Sequence, residues 1–544
     1  MFLKKTTLFF IIITSLTLGQ SFAQSVEQPK LVIGIVVDQM RYDYIYRYWD
    51  NFSENGFKRL VNEGYFCRNA NFTYVPTYTA PGHASIYTGT TPSMHGIIGN
   101  NWFDRSRNKS IYCTSDYAYK TVGSTSSAGQ MSPHNMLATT VCDELRLSNN
   151  KKSRVIGIAL KDRGAILPAG HTANAAYWFD DLTGNFITSS YYMNELPAWV
   201  LAFNKENRVQ KLLNNSWELL LSPDKYLQSN SDVNKYEGMF KSETSPAFPH
   251  RLPQLMKDNG GLGLVRLTPF GNTLTKDFAI ATLQAEQLGK KGATDFLTIS
   301  FSSTDYIGHQ FGPGSMEMQD TYLRLDKELA DLLSFLDTYI GKKNVLVFLT
   351  ADHAGVENPA QLGDLNIPSG YFDSEHPIDS LKSFLAKNYG DTLVLAYSNE
   401  QIYFNQTYIR AKNLNIENIQ NDAATYMLKF RGIANTATAH CMNNNEFTNG
   451  IKSFMQNGFN QKRSGDVLIN YEPAWIEFSR TGTTHGSPYS YDTHVPLIFY
   501  GYTIPKGSNS EPVSVIDIAP TISQLLNIQF PNACSGKPII QLTK

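Results

Sequence analysis

The sequence predicts an α/β protein built on a doubly wound, mostly parallel sheet. Short, unbroken apolar runs recur along the chain, and such runs are typical of strands that are covered on both faces, as in a parallel sheet. Helical patterns separate the runs, and strands that alternate with helices indicate α/β architecture. The predicted strands are residues 31–37, 155–160, 296–301, 345–349 and 495–500.

The clearest helical pattern lies just before the fourth of these strands. Apolar residues recur at steps of three and four from Met318 to Ile340, and Gly341 follows them. Glycine is typical just beyond the C-terminus of a helix. The sequence therefore predicts a long helix that leads directly into a strand.

Length and composition describe a large globular protein. The chain has 544 residues, of which 42% are hydrophobic and 17% charged, and this composition lies outside the range of disordered chains. Its 47 basic and 48 acidic residues give a net charge of -1, so no basic excess is available to bind a nucleic-acid backbone. We therefore expect neither a disordered protein nor a nucleic-acid scaffold.

The first 23 residues have the pattern of a secretory signal peptide. Two lysines precede an apolar stretch at residues 8–18, and residues 21–23 form a small-x-small cleavage site. The stretch is shorter than the roughly 20 apolar residues that span a membrane. We therefore expect cleavage after Ala23, export to the periplasm or the medium, and no membrane span in the mature protein, whereas the oligomeric state stays open.

Two regions interrupt the alternation of strands and helices. Residues from about 170 to 270 and from about 390 to 470 are rich in Asn, Tyr and short alternating patterns, with a predicted hairpin around residues 181–184. We expect residues 24–544 to form one domain in which these two regions are inserted and cap the site.

The five cysteines do not predict a structural zinc knuckle, because none of them belongs to a CxxC pair. In an oxidising compartment they are disulfide candidates, and their odd number leaves at least one unpaired. Their pairing stays open. They are Cys67, Cys113, Cys142, Cys441 and Cys534.

Polar residues with metal-binding chemistry follow several predicted strands, where ligands bind in open α/β sheets. Each alone has an ordinary interpretation, as a turn-capping Asp, a solvated pair on a helix or a buried Asp–His pair. Together, three carboxylates and three imidazoles suit two neighbouring zinc ions with three protein ligands each. The residues are Asp38, Asp305, His309, Asp352, His353 and His485.

Thr79 is the candidate nucleophile. Pro76 before it favours an extended approach and Pro81 is tolerated in a first helical turn, so Thr79 is expected at or just before a helix N-terminus. The ordinary interpretation is an N-cap threonine. The functional one is that free N–H groups at this end attract an anion, while a metal-coordinated hydroxyl ionises and attacks.

Three further residues suit an anionic phosphoryl group. Asn100 could donate an amide hydrogen, while Lys161 and Arg163 could supply a point charge and a planar fork. Their ordinary interpretations are a turn asparagine and a solvated pair of loop cations.

These residues lie in motifs that resemble the alkaline phosphatase superfamily, and in particular its secreted bacterial phosphate monoesterases with a threonine nucleophile. The resemblance covers most of the chain. It is carried by residues 37–38, 76–83, 94–101, 161–163, 305–309, 351–355 and 485–487.

The resemblance implies an alkaline-phosphatase-like fold and two Zn²⁺ per chain, with Lys161 in place of a third, Mg²⁺ ion. It implies hydrolysis of small phosphate monoesters to an alcohol and inorganic phosphate through a covalent phosphothreonine at Thr79. One zinc would be held by Asp305, His309 and His485, and the other by Asp38, Asp352, His353 and Thr79. The remaining phosphoryl oxygens would be bound by Asn100, Lys161 and Arg163.

The alternative is a nucleotide pyrophosphatase/phosphodiesterase on the same dizinc core. Those enzymes share the threonine and metal ligands but leave space for a second ester group, whereas two cations suit a dianionic monoester. A sulfatase would need a Cys/Ser-x-Pro-x-Arg setting, and a cofactor-independent phosphoglycerate mutase would be cytoplasmic. A non-catalytic phosphate- or metal-binding protein is the remaining class, and it would have no use for Thr79.

Overall fold

The computed structural model describes residues 28–390 and 393–543, so the predicted signal peptide lies outside the described residues. The strands are β1 (Leu31–Val37), β2 (Tyr65–Asn71), β3 (Asn101–Asp104), β4 (Lys109–Tyr112), β5 (Thr121–Val122), β6 (Val155–Ala159), β7 (Ala175–Asp180), β8 (Asn185–Ser189), β9 (Asp295–Phe301), β10 (Val345–Thr350), β11 (Gly370–Tyr371), β12 (Val394–Ser398), β13 (Gln401–Phe404), β14 (Ile433–Thr438), β15 (Val467–Tyr471), β16 (Trp475–Ile476), β17 (His494–Gly501), β18 (Gly507–Asn509) and β19 (Val513–Ser514).

The helices are α1 (Tyr44–Arg47), α2 (Phe57–Glu63), α3 (Thr79–Thr88), α4 (Pro92–His95), α5 (Val141–Ser148), α6 (Asp162–Ala169), α7 (Ala198–Lys205), α8 (Arg208–Leu213), α9 (Leu252–Leu255), α10 (Phe270–Glu286), α11 (Ser303–Phe311), α12 (Met316–Tyr339), α13 (Pro359–Asp364), α14 (Glu375–Tyr389), α15 (Gln406–Ala411), α16 (Ile416–Met427), α17 (Ala439–Asn444), α18 (Gly450–Gly458), α19 (Ser490–Thr493) and α20 (Ile518–Leu525). Short 3-10 helices lie at Trp49–Asn51, Pro223–Lys225, Gly261–Leu267, Lys342–Asn344, Val515–Asp517 and Ile540–Leu542.

An eleven-stranded sheet forms the centre of the fold, in the order β18-β2-β17-β10-β1-β9-β6-β7-β8-β5, with β19 also paired to β2. Its five middle strands, from β10 to β7, run parallel to one another. Every residue of β1, β9 and β10 is buried, which explains their unbroken apolar sequences. The predicted α/β class is confirmed. The last predicted strand, β17, is antiparallel to its neighbours, and apolar sequence alone does not encode strand direction.

The long helix predicted before β10 is also present, as α12. It begins after Ser315, whose hydroxyl accepts a hydrogen bond from the Met318 amide. Its leucines are buried along one stripe, and Gly341 beyond its end has a φ of 85°, which a residue without a side chain adopts readily.

The predicted hairpin around residues 181–184 is present as β7 and β8, but both strands belong to the central sheet. β7 pairs in parallel with β6 and is buried along its whole length, so the region from about 170 begins inside the core. Between β8 and α10 the chain contains the short helices α7, α8 and α9 and two 3-10 helices.

The second region folds around a core of its own. Strands β12 to β15 form a separate four-stranded antiparallel sheet. A buried cluster that includes Leu381 of α14, Ile402 of β13 and Met427 of α16 packs beside it. These residues do not belong to the cluster that surrounds the central sheet.

All five cysteines lie within the described part of the chain, and each of them is a free thiol there. The same described ranges, 28–390 and 393–543, contain no helix that is both long enough and apolar enough to cross a membrane.

Gly34 tests the packing of the central sheet, because a Cβ at this position in β1 would overlap the Tyr87 hydroxyl and the Phe348 ring. We expect Gly34→Ala to lower the free energy of unfolding by about 1–3 kcal/mol, as overpacking does. Gly363→Ala in α13 is the matched control, since the nearest atom to its added Cβ is the Ser369 hydroxyl at 3.6 Å. Alanine is favoured over glycine in a helix, so the control should not lose stability. Equal losses in chemical denaturation would contradict this account.

Candidate metal centre and active site

Three carboxylates meet at one edge of the central sheet because of its topology. Asp38 directly follows β1, Asp305 lies in the first turn of α11 after β9, and Asp352 follows β10. The three strands are parallel neighbours, so their carboxyl ends lie side by side. All three side chains are buried. Residues that are distant in the sequence are therefore brought into one acidic cluster.

The first predicted ligand set is found together around Asp305. Its Oδ1 atom lies 3.2 Å from Nε2 of His309, one helical turn later in α11, and 3.6 Å from Nε2 of His485. The ligand atoms of these three residues all lie within 4.8 Å of one another. The arrangement suits one metal ion with three protein ligands.

A second group of ligand atoms within 4.8 Å of one another contains Asp38, Asp305 and His353. Oδ1 of Asp38 lies 3.4 Å from Nε2 of His353. Asp305 thus belongs to both groups, whereas the sequence assigns it to the first group alone. Asp352, predicted in the second group, has its Oδ2 3.8 Å from His353 Nε2 and 3.2 Å from Nδ1 of His83.

The three candidate histidine ligands are oriented by backbone carbonyls. A carbonyl oxygen only accepts hydrogen bonds, so the Nδ1 that contacts it carries the proton and the neutral ring presents a lone pair on Nε2. In each ring Nε2 is the atom nearest the carboxylates. The Nδ1–oxygen pairs are His309 with Thr483 (2.8 Å), His485 with Thr77 (2.7 Å) and His353 with Ala354 (2.9 Å).

The donor atoms of this cluster fit bound metal ions. Oδ1 of Asp38, Oδ2 of Asp352 and Nε2 of His353 are buried without a hydrogen-bond partner among the described residues. Burial, together with the charges of Asp305 and Asp352, raises the pKa of Asp38 well above its ordinary value. A cation relieves that unfavourable burial of negative charge. Imidazole nitrogen and carboxylate oxygen are both ligands of zinc.

Thr79 is the first residue of α3 and is 1% exposed. Tyr78, and not Thr79, occupies the N-cap position, with an extended backbone. One turn into the helix, a Cβ on Gly82 would overlap the backbone of Asp352, so α3 lies directly against the loop that carries this carboxylate. Asn100 is held at the same helix end, because its Oδ1 accepts a hydrogen bond of 2.9 Å from the Ala80 amide. Its amino group is left as a donor.

Lys161 lies between two of the acidic residues. It occupies the N-cap position of α6, is 3% exposed, and places Nζ 2.6 Å from Oδ2 of Asp38 and 2.5 Å from Oδ2 of Asp305. Burial lowers the pKa of Lys161, but Asp305 and Asp38 outweigh that effect and raise it, so the ammonium is charged. Lys161 is therefore a fixed internal cation and not part of a solvated pair.

Arg163 is held on one side only. Its Nη1 donates a 3.0 Å hydrogen bond to the Tyr112 hydroxyl, which in turn donates to Asp162 over 2.7 Å. Its Nε is buried and has no partner in the part of the chain that the structure describes. The guanidinium is oriented by Tyr112 and retains unused donors.

Sequence reasoning missed two polar residues of the cluster. Gln39 donates through Nε2 to Oδ1 of Asp305 (2.9 Å), and its backbone amide donates to Oδ1 of Asp352 (3.2 Å). His83 contacts the Thr79 carbonyl through Nδ1 and the Ser300 hydroxyl through Nε2, each at 2.9 Å. Gln39 directly follows the motif at residues 37–38, and His83 is the last residue of the motif at residues 76–83. These positions were the signal by which the sequence could have identified them.

Comparison with known proteins identifies the family. A sequence profile described as "Type I phosphodiesterase / nucleotide pyrophosphatase" matches residues 32–494. A Myroides odoratus protein named calcium-transporting ATPase is 46% identical over 97% of this chain and 98% of its own length. Alkaline phosphatase PafA of Elizabethkingia meningoseptica is 44% identical over 100% of both chains. The crystal structure of wild-type PafA matches with a TM-score of 0.92 and 44% identity, over 96% of this chain and 100% of that chain.

This agreement in sequence and in fold extends over nearly the whole chain, including every strand that ends at the acidic cluster. The chain therefore belongs to the type I phosphodiesterase / nucleotide pyrophosphatase family of the alkaline phosphatase superfamily, in its branch of bacterial alkaline phosphatases.

Proposed function

We propose that this protein is an alkaline phosphatase that hydrolyses small phosphate monoesters to an alcohol and inorganic phosphate. The observation that carries the proposal is the buried cluster of carboxylate and imidazole ligands with unpartnered donor atoms, next to the helix that begins at Thr79. A relative that is 44% identical over its full length is named an alkaline phosphatase.

The cluster would hold two metal ions, which we propose to be Zn²⁺. Bound metal ions of this kind supply positive charge to the attacking and leaving oxygens of a displacement at phosphorus. We propose no third, Mg²⁺ ion, because Lys161 already places a fixed cation between Asp38 and Asp305. One ion would be held by Asp305, His309 and His485, and the other by Asp38, Asp352, His353 and Thr79.

The chain's own residues supply the nucleophile and the phosphoryl contacts. Thr79 Oγ1 attacks phosphorus in line, the ester oxygen departs as the alcohol, and water then hydrolyses the phosphothreonine to release phosphate. The positive end of the α3 helix dipole favours the negative charge that develops beside Thr79. The amino group of Asn100, the remaining donor of the Lys161 ammonium and the unused donors of Arg163 bind the remaining oxygens, where a loose phosphoryl-transfer state keeps its charge.

Charge favours monoesters over diesters. A monoester carries one more negative charge than a diester, and Lys161 and Arg163 provide two cations for it. A nucleotide pyrophosphatase/phosphodiesterase would instead need space for a second ester group. The preference is tested by the Arg163→Ala variant described below.

We further propose that residues 24–544 form one catalytic domain whose inserted regions cap the site. In the second region, Glu400 accepts a 3.3 Å hydrogen bond from Tyr78, the neighbour of Thr79, and Asn399 donates to the Asn101 carbonyl over 2.6 Å. In the first region, the Gly238 amide donates to the carbonyl of Gln310, next to His309, over 2.8 Å. Because of the signal-peptide pattern, we propose that the enzyme is exported to the periplasm or the medium.

Replacement of the nucleophile should remove the activity. We expect Thr79→Ala to lower kcat by about 10³-fold or more, because the substitution removes the hydroxyl at the first position of α3, which is the proposed nucleophile. Zinc content should stay unchanged, since the imidazole and carboxylate ligands remain. The matched control is Thr88→Ala on the same helix, whose hydroxyl donates to the Ala84 carbonyl over 2.7 Å. Full turnover by Thr79→Ala would identify a different nucleophile.

Loss of the guanidinium should change the preference between substrates. We expect Arg163→Ala to lower kcat/KM for a phosphate monoester by about 10²–10³-fold and for a diester by about tenfold or less, because the diester lacks one charge. The control is Arg107→Ala, whose side chain is 59% exposed. A wild-type enzyme that prefers diesters would refute the monoesterase assignment.

Removal of metal should abolish activity reversibly. Elemental analysis should find two zinc ions per chain, EDTA should remove activity, and Zn²⁺ should restore it without added Mg²⁺. His309→Ala should lose about one zinc per chain because it removes a ligand of one group. The control is His134→Ala, an exposed histidine outside both groups. Restoration that requires Mg²⁺ would contradict the proposed metal content.

A further inference from the structure

A small cavity lies beside the proposed metal centre. His485, from the first ligand group, and Tyr78, the residue before Thr79, both line it, and their rings lie edge to face with centroids 5.5 Å apart. The cavity volume is about 60 Å³, and one water molecule occupies roughly 30 Å³ of the liquid. The alcohol portion of a small ester bound between Thr79 and His485 can therefore enter the cavity, whereas a nucleoside is too large for it.

The walls of the cavity are acidic. Glu400, Glu477 and Asp492 line it, and no lysine or arginine of the described residues does. The Glu400 carboxylate accepts a 3.3 Å hydrogen bond from the Tyr78 hydroxyl. The Glu477 carboxylate accepts a 3.1 Å hydrogen bond from the Tyr471 hydroxyl. Since a hydroxyl group carries no charge, the negative charge of the two glutamates is left uncompensated.

Asp492 adds a buried oxygen that has no partner. The residue is 1% exposed, and its Oδ2 accepts hydrogen bonds from the amide (2.8 Å) and the hydroxyl (2.6 Å) of Ser487. Its Oδ1 has no hydrogen-bond partner among the described residues. Burial, followed by the charge of Glu477, raises the pKa of Glu400 to about 8. Both observations indicate a cavity suited to a positively charged hydrogen-bond donor.

The backbone at Glu400 also indicates a role for its side chain. Asn399 and Glu400 form the two-residue turn between β12 and β13, with φ values of 52° and 55°. Asparagine suits the first position of such a turn and glycine the second. The turn is fixed beside Asn100, because Asn399 donates to the Asn101 carbonyl over 2.6 Å. A glutamate where glycine is favoured is costly for the backbone, and such strain is typical of functional positions.

The acids are spaced for an organic cation and not for a metal ion. Within residues 28–390 and 393–543, no set of three ligand residues that approach within 4.8 Å of one another includes Glu400, Glu477 or Asp492. Tyr471 and Trp475 also line the cavity, and aromatic rings attract ammonium groups. Carboxylates and aromatic rings together suit an ammonium group.

We propose that this cavity is a leaving-group subsite, which binds the ammonium group of phosphate monoesters of short amino alcohols, such as 2-aminoethyl phosphate. The inference rests on the proposed phosphatase function and adds a substrate preference to it. Glu400 and Glu477 contact the ammonium group. The two carbons between that group and the ester oxygen fit the small volume of the cavity.

The test compares two substrates that differ in one group, with the zinc-loaded, full-length enzyme. Propyl phosphate has a methyl group where 2-aminoethyl phosphate has its ammonium, which stays charged at about pH 9 because an alkylammonium has a pKa of about 10.4. We expect Glu400→Gln to lower the ratio of kcat/KM for the amino ester to that for the propyl ester by about tenfold or more, as for a lost charge-assisted hydrogen bond. The value for propyl phosphate should change by less than about twofold.

Glu477→Gln provides a second variant, and it decides the matter if Glu400→Gln fails to fold. Its side chain is exposed, so the substitution leaves the core intact, and the same ratio should fall by about threefold. The matched control is Glu472→Gln, an exposed acid of the same segment that does not line the cavity, and it should leave the ratio unchanged.

Two results would overturn the subsite alone while the enzyme remains a phosphatase. One is a ratio that neither glutamate variant changes, and the other is an equal loss for both esters in Glu400→Gln, which indicates a structural role. A wild-type enzyme that hydrolyses neither ester would refute the phosphatase assignment, and the subsite with it.

Discussion

The fold depends on the compensation of negative charge at one edge of the central sheet. Asp38, Asp305 and Asp352 are buried beside one another because β1, β9 and β10 are adjacent and parallel. Like charges at such distances are unfavourable in a protein interior unless cations accompany them. Lys161 contacts two of the three and provides part of that compensation from the turn after β6, the strand next to β9. Bound metal ions would provide the remainder.

Because of this constraint, the sheet and its loops position different parts of the site. The strands fix where the carboxylates emerge, while backbone carbonyls of neighbouring loops fix which nitrogen of each histidine is available. The loop of His485 is itself attached to the segment before α3, since the Thr77 hydroxyl donates to the Ser487 carbonyl over 3.1 Å. The candidate histidine ligands and the segment that leads to the candidate nucleophile are thereby linked by hydrogen bonds.

Much of this architecture could be predicted from the sequence, because buried parallel strands leave unbroken apolar runs and the site motifs follow them. The direction of β17 and the place of β7 in the central sheet could not, since strand pairing is decided by contacts distant in the chain. The same limit applies to Asp305, which the fold places in both ligand groups. Gln39 was missed because an amide beside a carboxylate has no distinctive pattern. The roles of the site residues in catalysis remain predictions.

The close approach of Gly82 to Asp352 has a consequence for how this enzyme could diversify. The backbones of the two segments are in direct contact there, with no side chain between them, so the spacing of the candidate nucleophile and the candidate ligand loop cannot be adjusted by a change of side-chain rotamer. A methyl group at residue 82 would push the two apart as rigid pieces. New substrate specificities would therefore arise from changes in the inserted regions around the site. Their length and surface chemistry can vary while the geometry of the reacting groups stays the same.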